Sequence, residues 1–299
     1  MLGAVLTGCS IQRFVINKAG DALSGESTAV ARDDDPDFVR AATPFSLKLI
    51  ESLLEKSPAH EGMLLTAASG FTQYSYAFIQ QDAERLEDQD FAGAQELRAR
   101  AGRMYLRARD YGLRGLEVRH PGLSLQLQHA ASAALQSMTI ADVGLLYWTG
   151  AAWAAAIGQA KDNPALVGDL SIVDALVERA ALLEPGYGHG ALHSFQIGYE
   201  MARAARPEVA REHFSLAVVA SRGRLAGPYV SLAESVCVPQ RARAEFEALV
   251  TSALAIDADA NKDSRLENLI LQRRARWLLS RIDDLFLPVT NDSRNEEKP

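Results

Sequence analysis

The sequence predicts an all-α protein: a tetratricopeptide-like helical-repeat superhelix with degenerate repeats and a C-terminal capping helix. Three observations carry this. From Phe38 onward Ala, Leu, Glu and Arg recur at three- and four-residue spacing, the period of a helix with one buried face, and almost nothing alternates with the period of two that a half-buried strand requires. Helical stretches of similar length are punctuated at regular intervals, the mark of a repeat array. The small anchor residues Ala180, Ala217 and Ala253 stand 37 and 36 residues apart, close to the roughly 34 of a tetratricopeptide repeat.

In chain order, residues 1–9 read as a clipped lipoprotein signal segment. An apolar run, Met1 to Val5, precedes Leu6-Thr7-Gly8-Cys9, a lipobox in which Cys9 is the expected site of lipidation. Residues 10–37 read as an N-terminal helix and an acidic linker, with Ile11, Phe14, Val15 and Leu23 on one helical side and Asp33-Asp34-Asp35-Pro36-Asp37 closing the segment. The repeat domain is expected over 38–287. Leu47, Ile50 and Leu54 form the buried stripe of a helix stopped near Pro58, because proline disfavours helix in the residue before it. Long helices follow over Leu64–Gln81 and Phe91–Arg119, the second ending before His120-Pro121-Gly122. The most apolar stretch, Gly144 to Ile157, is about fourteen residues against the roughly twenty of a bilayer-spanning helix, so the lipid is expected to supply the anchor.

Ala210, Phe214 and Ala217 match the second helix of a repeat, with Val177, Ala180 and Pro185 before them and Val250, Ala253 and Ala258 after. Counting back from Ala210 places Ile197 and Gly198 where paired helices approach closely. Arg265–Phe286 is expected as the capping helix, burying Leu266, Leu269, Ile270, Trp277, Leu278, Ile282 and Leu285. The polar end, 288–299, is expected to be disordered.

A net charge of −7 argues against a nucleic-acid partner, which needs a clustered basic face. The run Arg273-Arg274-Ala275-Arg276 is followed by Asp283 and Asp284 and reads as a solvated helix face with local ion pairs. Of the two cysteines, Cys9 is expected to carry lipid, which would leave Cys237, within Val236-Cys237-Val238, without a disulfide partner; it reads as a small buried hydrophobe. His189 and His193 have helical metal-pair spacing, but Gly190 stands where HExxH needs Glu, and Gly186 and Gly188 put His189 ahead of the helix. Asp257, Asp259 and Asn261 begin like a calcium loop, yet Lys262 replaces its Gly and Asn268 its final Glu. Gly186, Gly188 and Gly190 are spaced GxGxG with no preceding strand. No catalytic residue, metal or cofactor is therefore assigned.

The aromatic residues offer the better lead. Tyr147, Trp148 and Trp153 share a helix otherwise mostly of Ala, Gly and Leu, and small residues beside large rings leave room for a lined cavity. The repeat phase set by Gly198 puts Phe195 and Tyr199 on the concave side with His193 and Gln196 close by. The candidate ligand-binding set is Tyr74, Tyr147, Trp148, Trp153, His193, Gln196, Tyr199 and Tyr229. Repeat core is the competing assignment for each, since such helices pack with aromatic residues anyway.

Four stretches carry a resemblance: Leu145-Leu146-Tyr147-Trp148-Thr149-Gly150-Ala151-Ala152-Trp153, Glu184-Pro185-Gly186-Tyr187-Gly188-His189-Gly190-Ala191, Ala226-Gly227-Pro228-Tyr229-Val230, and Arg276-Trp277-Leu278-Leu279-Ser280-Arg281-Ile282-Asp283-Asp284-Leu285-Phe286. Together they resemble the TatT component family, the tetratricopeptide lipoproteins associated with tripartite ATP-independent periplasmic (TRAP) transporters. The resemblance implies a periplasmic lipoprotein with a central cavity, a homo-oligomer described as trimeric, associating with the solute-binding (P) subunit. It supplies no catalytic residue. A small, partly apolar organic acid is the ligand expected in the cavity. Ser10 after Cys9 lacks the aspartate associated with inner-membrane retention and points to the outer membrane. The alternatives are a structural scaffold docking an envelope protein and, from the proximity of Glu184, His189 and His193, a periplasmic hydrolase.

Overall fold

The computed structural model describes residues 17–18, 20–21 and 28–287. The lipobox with Cys9, most of the expected 11–23 helix and the tail 288–299 lie outside the described residues. The helices are α1 Thr28–Ala31, α2 Pro36–Lys56, α3 Glu61–Tyr74, α4 Gln81–Leu86, α5 Phe91–Arg119, α6 Leu123–Ala134, α7 Val143–Gln159, α8 Pro164–Val167, α9 Leu170–Leu183, α10 Tyr187–Ala204, α11 Pro207–Ser221, α12 Gly227–Leu232, α13 Arg243–Leu254, α14 Arg265–Ser280 and α15 Ile282–Leu285. No strand occurs among the described residues.

Local chemistry sets the helix boundaries. Asp35 caps α2 by accepting from the Asp37 and Phe38 amides, with Pro36 at the first helical position, where its missing N–H costs nothing. The His60 ring accepts from the Met63 amide at the start of α3, and Asp90 accepts from Gly93 at the start of α5. The acidic run that reads as linker is thus partly a capping device. Helix α3 runs without a break through a π turn, Ser75–Gln80, into α4, and a second π turn, Ala233–Cys237, extends α12.

Packing is by antiparallel neighbours: α3 on α5, α5 on α7, α7 on α9, α10 on α11, and α13 on α14. The expected anchors Ala180, Ala217 and Ala253 are buried, as is Ala210. Helix α7 is the central strut. Ile140–Gln159 proves long and apolar enough to cross a membrane, contrary to the sequence expectation, but two thirds of it is buried inside the protein, so its apolar surface serves the core. The tightest approach lies at Gly112 of α5, where a Cβ would stand 3.0 Å from Thr149 Cβ and 3.3 Å from Thr149 Cα. Gly198 has a different partner from the one expected: a Cβ there would meet Ser235 Oγ at 3.2 Å, in the π turn after α12, while Gly190 approaches Ala217 and Ala220 of α11.

The ends of the array meet. Helix α14 packs on α13 and also on α1 and α2, which closes the superhelix into a ring. It is therefore more than a solvated cap, burying Asn268, Gln272 and Arg274 along with Leu266, Ala275 and Leu278. The arginine run makes long-range pairs where local ones were expected. Arg273 pairs with Asp37, Arg265 with Asp34 at 3.1 Å, and Arg281 with Asp88 at 2.7 Å, while Arg274 turns inward between Glu84 and Glu234.

Candidate functional site

The candidate site is assembled on the inner face of the ring by α3, α7, α10, α12 and α14. An aromatic chain runs along α7 and α10: the Tyr147 ring lies 4.8 Å from Trp148, 5.5 Å from Tyr187 and 6.2 Å from Phe195, and Phe195 stacks on Tyr199 at 5.2 Å. Burial raises the Tyr187 phenol pKa, and the neighbouring Trp148 indole pulls it down against that effect. Gly144 leaves room for this group, since a Cβ there would stand 3.2 Å from the Tyr187 hydroxyl.

Acidic groups are carried by α4, the second π turn and α14. The Glu267 side chain of α14 is accessible to solvent, yet burial pushes its carboxyl pKa up with no other cause opposing it. Glu267 is thus reached by solvent yet crowded by the protein around it. Tyr76 behaves in the same way. It is 38% exposed, while burial first, and then the Glu234 charge, raise its phenol pKa. Burial also raises the Tyr147 phenol, with Glu267 the next cause.

Both π turns bear on these groups. Each shifts the helical register by one residue, a feature common at functional sites; one carries Tyr76 and the other Glu234. Burial raises the Glu234 carboxyl against the opposing pull of Arg274. Burial alone would lower the Arg274 pKa, but Glu234 and Glu84 outweigh it and hold the guanidinium charged.

Of the residues singled out from sequence, Tyr147 and Trp148 come together here, with Tyr199 at the end of the aromatic chain. The Tyr199 hydroxyl is engaged, donating to Asp174 Oδ1 at 2.7 Å, and Arg203 pairs with the same carboxylate at 2.8 Å. Trp153 points elsewhere, buried under Arg109 at 5.0 Å. Tyr74 packs against Phe78 in the α3–α5 core, and Tyr229 against Phe214 in the C-terminal core. His193 meets His213 of α11 with their Nδ1 atoms 3.1 Å apart, and Gln196 is buried nearby with its Oε1 unpartnered. Glu267, Tyr76, Glu234 and Tyr187 were not singled out. A glutamate in the first turn of a helix is ordinary, so Glu267 carries no local signal; Tyr187 stood inside the Gly186-Tyr187-Gly188 motif and had one.

No group of three or more His, Cys, Asp or Glu suited to a metal occurs among the described residues. His189 sits at φ 56° between Gly188 and Gly190, both also at positive φ, so regular helix begins after it. Cys237 is buried, and burial pushes its thiol up to about 12.

A family model described as the TRAP transporter T-component matches residues 32–286. A protein of Treponema pallidum (strain Nichols), described as uncharacterized, is similar at 30% identity over 305 residues, 94% of each chain being covered. With a family match running from the acidic linker to the last turn of the ring, and an all-helical repeat fold beneath it, this chain belongs to the TRAP transporter T-component family.

Proposed function

We propose that this chain is the periplasmic accessory binding lipoprotein of a TRAP uptake system, without enzymatic activity, associating with the solute-binding subunit and holding a small, partly apolar ligand inside its ring. What supports the ligand reading is the aromatic chain of Tyr147, Trp148, Tyr187 and Phe195, together with two groups, Tyr76 and Glu267, that solvent reaches although protein crowds them, since binding sites are concave, largely apolar and given direction by a few polar groups. Family membership ties the chain to TRAP transport at the cell envelope. Anchoring through a lipidated Cys9 in the outer membrane is part of the same reading.

A homo-oligomer, on the family pattern a trimer, is supported by α2. Phe38, Phe45 and Leu49 share a helical face at heptad-like spacing, and Phe38 and Phe45 are 64% and 74% exposed, more apolar surface than one helix ordinarily leaves to water.

The test is paired. Full-length protein is titrated with hexan-1-ol, a neutral amphiphile, and captured on an immobilised TRAP solute-binding subunit from the same organism. Saturable binding that Trp148→Ala weakens, with capture retained, is the expected result. Capture without any ligand binding would leave a structural scaffold that docks the subunit. Membrane fractionation of Cys9→Ser checks the anchor, and unchanged partitioning overturns it.

A further inference from the structure

The outward face of α5 carries arginines at the spacing of a single helical stripe. Arg100, Arg103, Arg107 and Arg114 follow one another at intervals of three, four and seven residues, and all are exposed; at 1.5 Å per residue they form a row about 21 Å long. An open groove lined by Arg103, Leu106, Arg107, Asp110, Tyr111 and Arg114 runs beside it. Among the described residues no carboxylate pairs with Arg100 or Arg103. The nearby acids are largely taken up: Asp110 pairs with Arg109 at 2.7 Å, and Glu51 with Lys48 at 2.6 Å and Arg107 at 3.5 Å. Glu96, about one turn before Arg100, is the carboxylate left over on the stripe. The face is thus basic on a chain whose net charge is −7.

The same face meets the part of the chain that leads to Cys9. The Arg114 guanidinium donates to the Pro58 carbonyl at 3.2 Å. In that turn between α2 and α3 the Ser57 hydroxyl donates to Asn17 Oδ1 at 2.6 Å, and the His60 ring lies 3.2 Å from the Asn17 carbonyl oxygen. Cys9 precedes Asn17 by eight residues, a reach of at most about 28 Å. A lipid on Cys9 therefore keeps the membrane within that distance of the turn against which the stripe ends.

We propose that the arginine stripe of α5 lies on the anionic phospholipid headgroups of the membrane that holds Cys9. It rests on the lipid-anchor reading above and names the surface that the anchored protein turns to the bilayer. Each guanidinium offers a planar fork of donors to phosphate oxygens, and each basic residue close to an anionic leaflet strengthens attachment about fivefold. Salt screens charges lying more than about 8 Å from the headgroups at physiological ionic strength, so the acidic remainder of the chain does not cancel the attraction. An acidic protein would suit the same arginines, but the lipid alone is held beside them by the chain itself.

The experiment couples the full chain through the Cys9 thiol, Cys237 being buried, to a trace of maleimide-headgroup lipid in vesicles of phosphatidylcholine, alone or mixed equally with phosphatidylglycerol. Arginine modification by phenylglyoxal is then followed residue by residue by mass spectrometry. Arg107 and Arg114 should react at least about fivefold more slowly on the anionic vesicles than on the neutral ones, while Arg222, exposed after α11, reacts alike on both. Arg100→Gln, Arg103→Gln, which breaks no ion pair, should lose most of that slowing. Equal rates on the two kinds of vesicle overturn the proposal, and slowing that persists in the double variant overturns the part played by the stripe. Equal slowing at Arg222 would mean that anionic lipid selects no face of the protein. Slowing that needs added TRAP solute-binding subunit, on neutral vesicles as on anionic ones, would give the stripe to that protein instead. The coupling supplies the anchor, so these outcomes are separate from natural lipidation of Cys9, which falls only if Cys9→Ser leaves membrane fractionation unchanged.

Discussion

Arg273 grips Asp37 with both guanidinium nitrogens, at 2.9 and 3.1 Å, and so joins the last long helix to the first across most of the chain. Its neighbour Arg274 joins the same helix to Glu84 and Glu234 from the inside. The two arginines are adjacent in sequence and opposite in environment. Arg273 and Asp37 are both well exposed, where water screens the pair and ordering long side chains offsets its attraction. Arg274 is 5% exposed, and its two carboxylates would otherwise be left in the interior with no cation between them.

Removing one side of each pair should therefore have unequal effects. Asp37→Asn is expected to change stability by no more than about 1 kcal/mol. Arg274→Ala leaves Glu84 and Glu234 uncompensated and should cost about 3–5 kcal/mol. Urea unfolding of both variants checks this, and equal losses would mean that the ring is not closed through Arg274.

The helix interface at Gly112 gives a second expectation. Gly112→Ala must displace the Thr149 side chain, whose hydroxyl donates to the Leu145 carbonyl, and the Thr149 backbone is close as well. Overpacking there should cost about 1–3 kcal/mol. Gly198→Ala, which meets only the hydroxyls of Ser235 and Ser231, should cost less. The double variant Gly112→Ala, Thr149→Ala should recover part of the loss, because the two sites share the contact. Thermal melts in which Gly198→Ala is the worse of the two would contradict the observed packing.

These sites also show what could be read from sequence. Helix periodicity and caps are local, so the limits of the Phe91–Arg119 helix, the buried alanines at 180, 217 and 253, and the place of His189 ahead of regular helix all followed from neighbouring residues. Ring closure did not. Asp37 and Arg273 meet through the summed curvature of every repeat between them, a quantity no local spacing encodes. The same limit governed the site. Tyr147 and Trp148 were legible as large rings among small residues, but Trp153 lies on another face of the same helix because five or six residues are not a whole number of turns. Tyr76 and Glu234 owe their direction to π turns, whose one-residue shift breaks the 3.6-residue phase on which sequence patterns rest.

The His193–His213 contact predicts a pH dependence. Burial first, and for His213 the neighbouring His193 next, hold both imidazoles below the ordinary 6.5. With Nδ1 atoms 3.1 Å apart, one ring must donate and the other accept, so protonating both destroys the bond. The groups around them are mixed: Glu212 draws a proton toward either ring, Glu200 toward His213, and Arg206 opposes it there. A lowered folded-state pKa means that the unfolded chain takes up protons first as pH falls through about 6.5. Stability is thus complete above that pH and declines below it. Melting temperature should fall from about pH 7.5 to 5, and less steeply in His193→Asn, His213→Asn. Parallel slopes for parent and variant would rule out the pair as the source.

The two tryptophans of α7 separate wall from core. Trp153 is 6% exposed, lies under Arg109, and keeps its buried indole N–H without a partner. Trp153→Ala removes a large packed ring and should cost about 3–5 kcal/mol. Trp153→Phe should cost much less, since it keeps most of the apolar ring and removes a buried donor that has nothing to bond. Trp148 is only partly buried and its ring packs on Tyr147. Trp148→Ala loses that contact without emptying the core, so its melt should fall by less than that of Trp153→Ala while hexan-1-ol binding weakens. The comparison is made on both variants in one buffer, by melt and by titration. If Trp148→Ala proves the more destabilising, Trp148 belongs to the core, and the interior beside it is too well packed to admit a ligand.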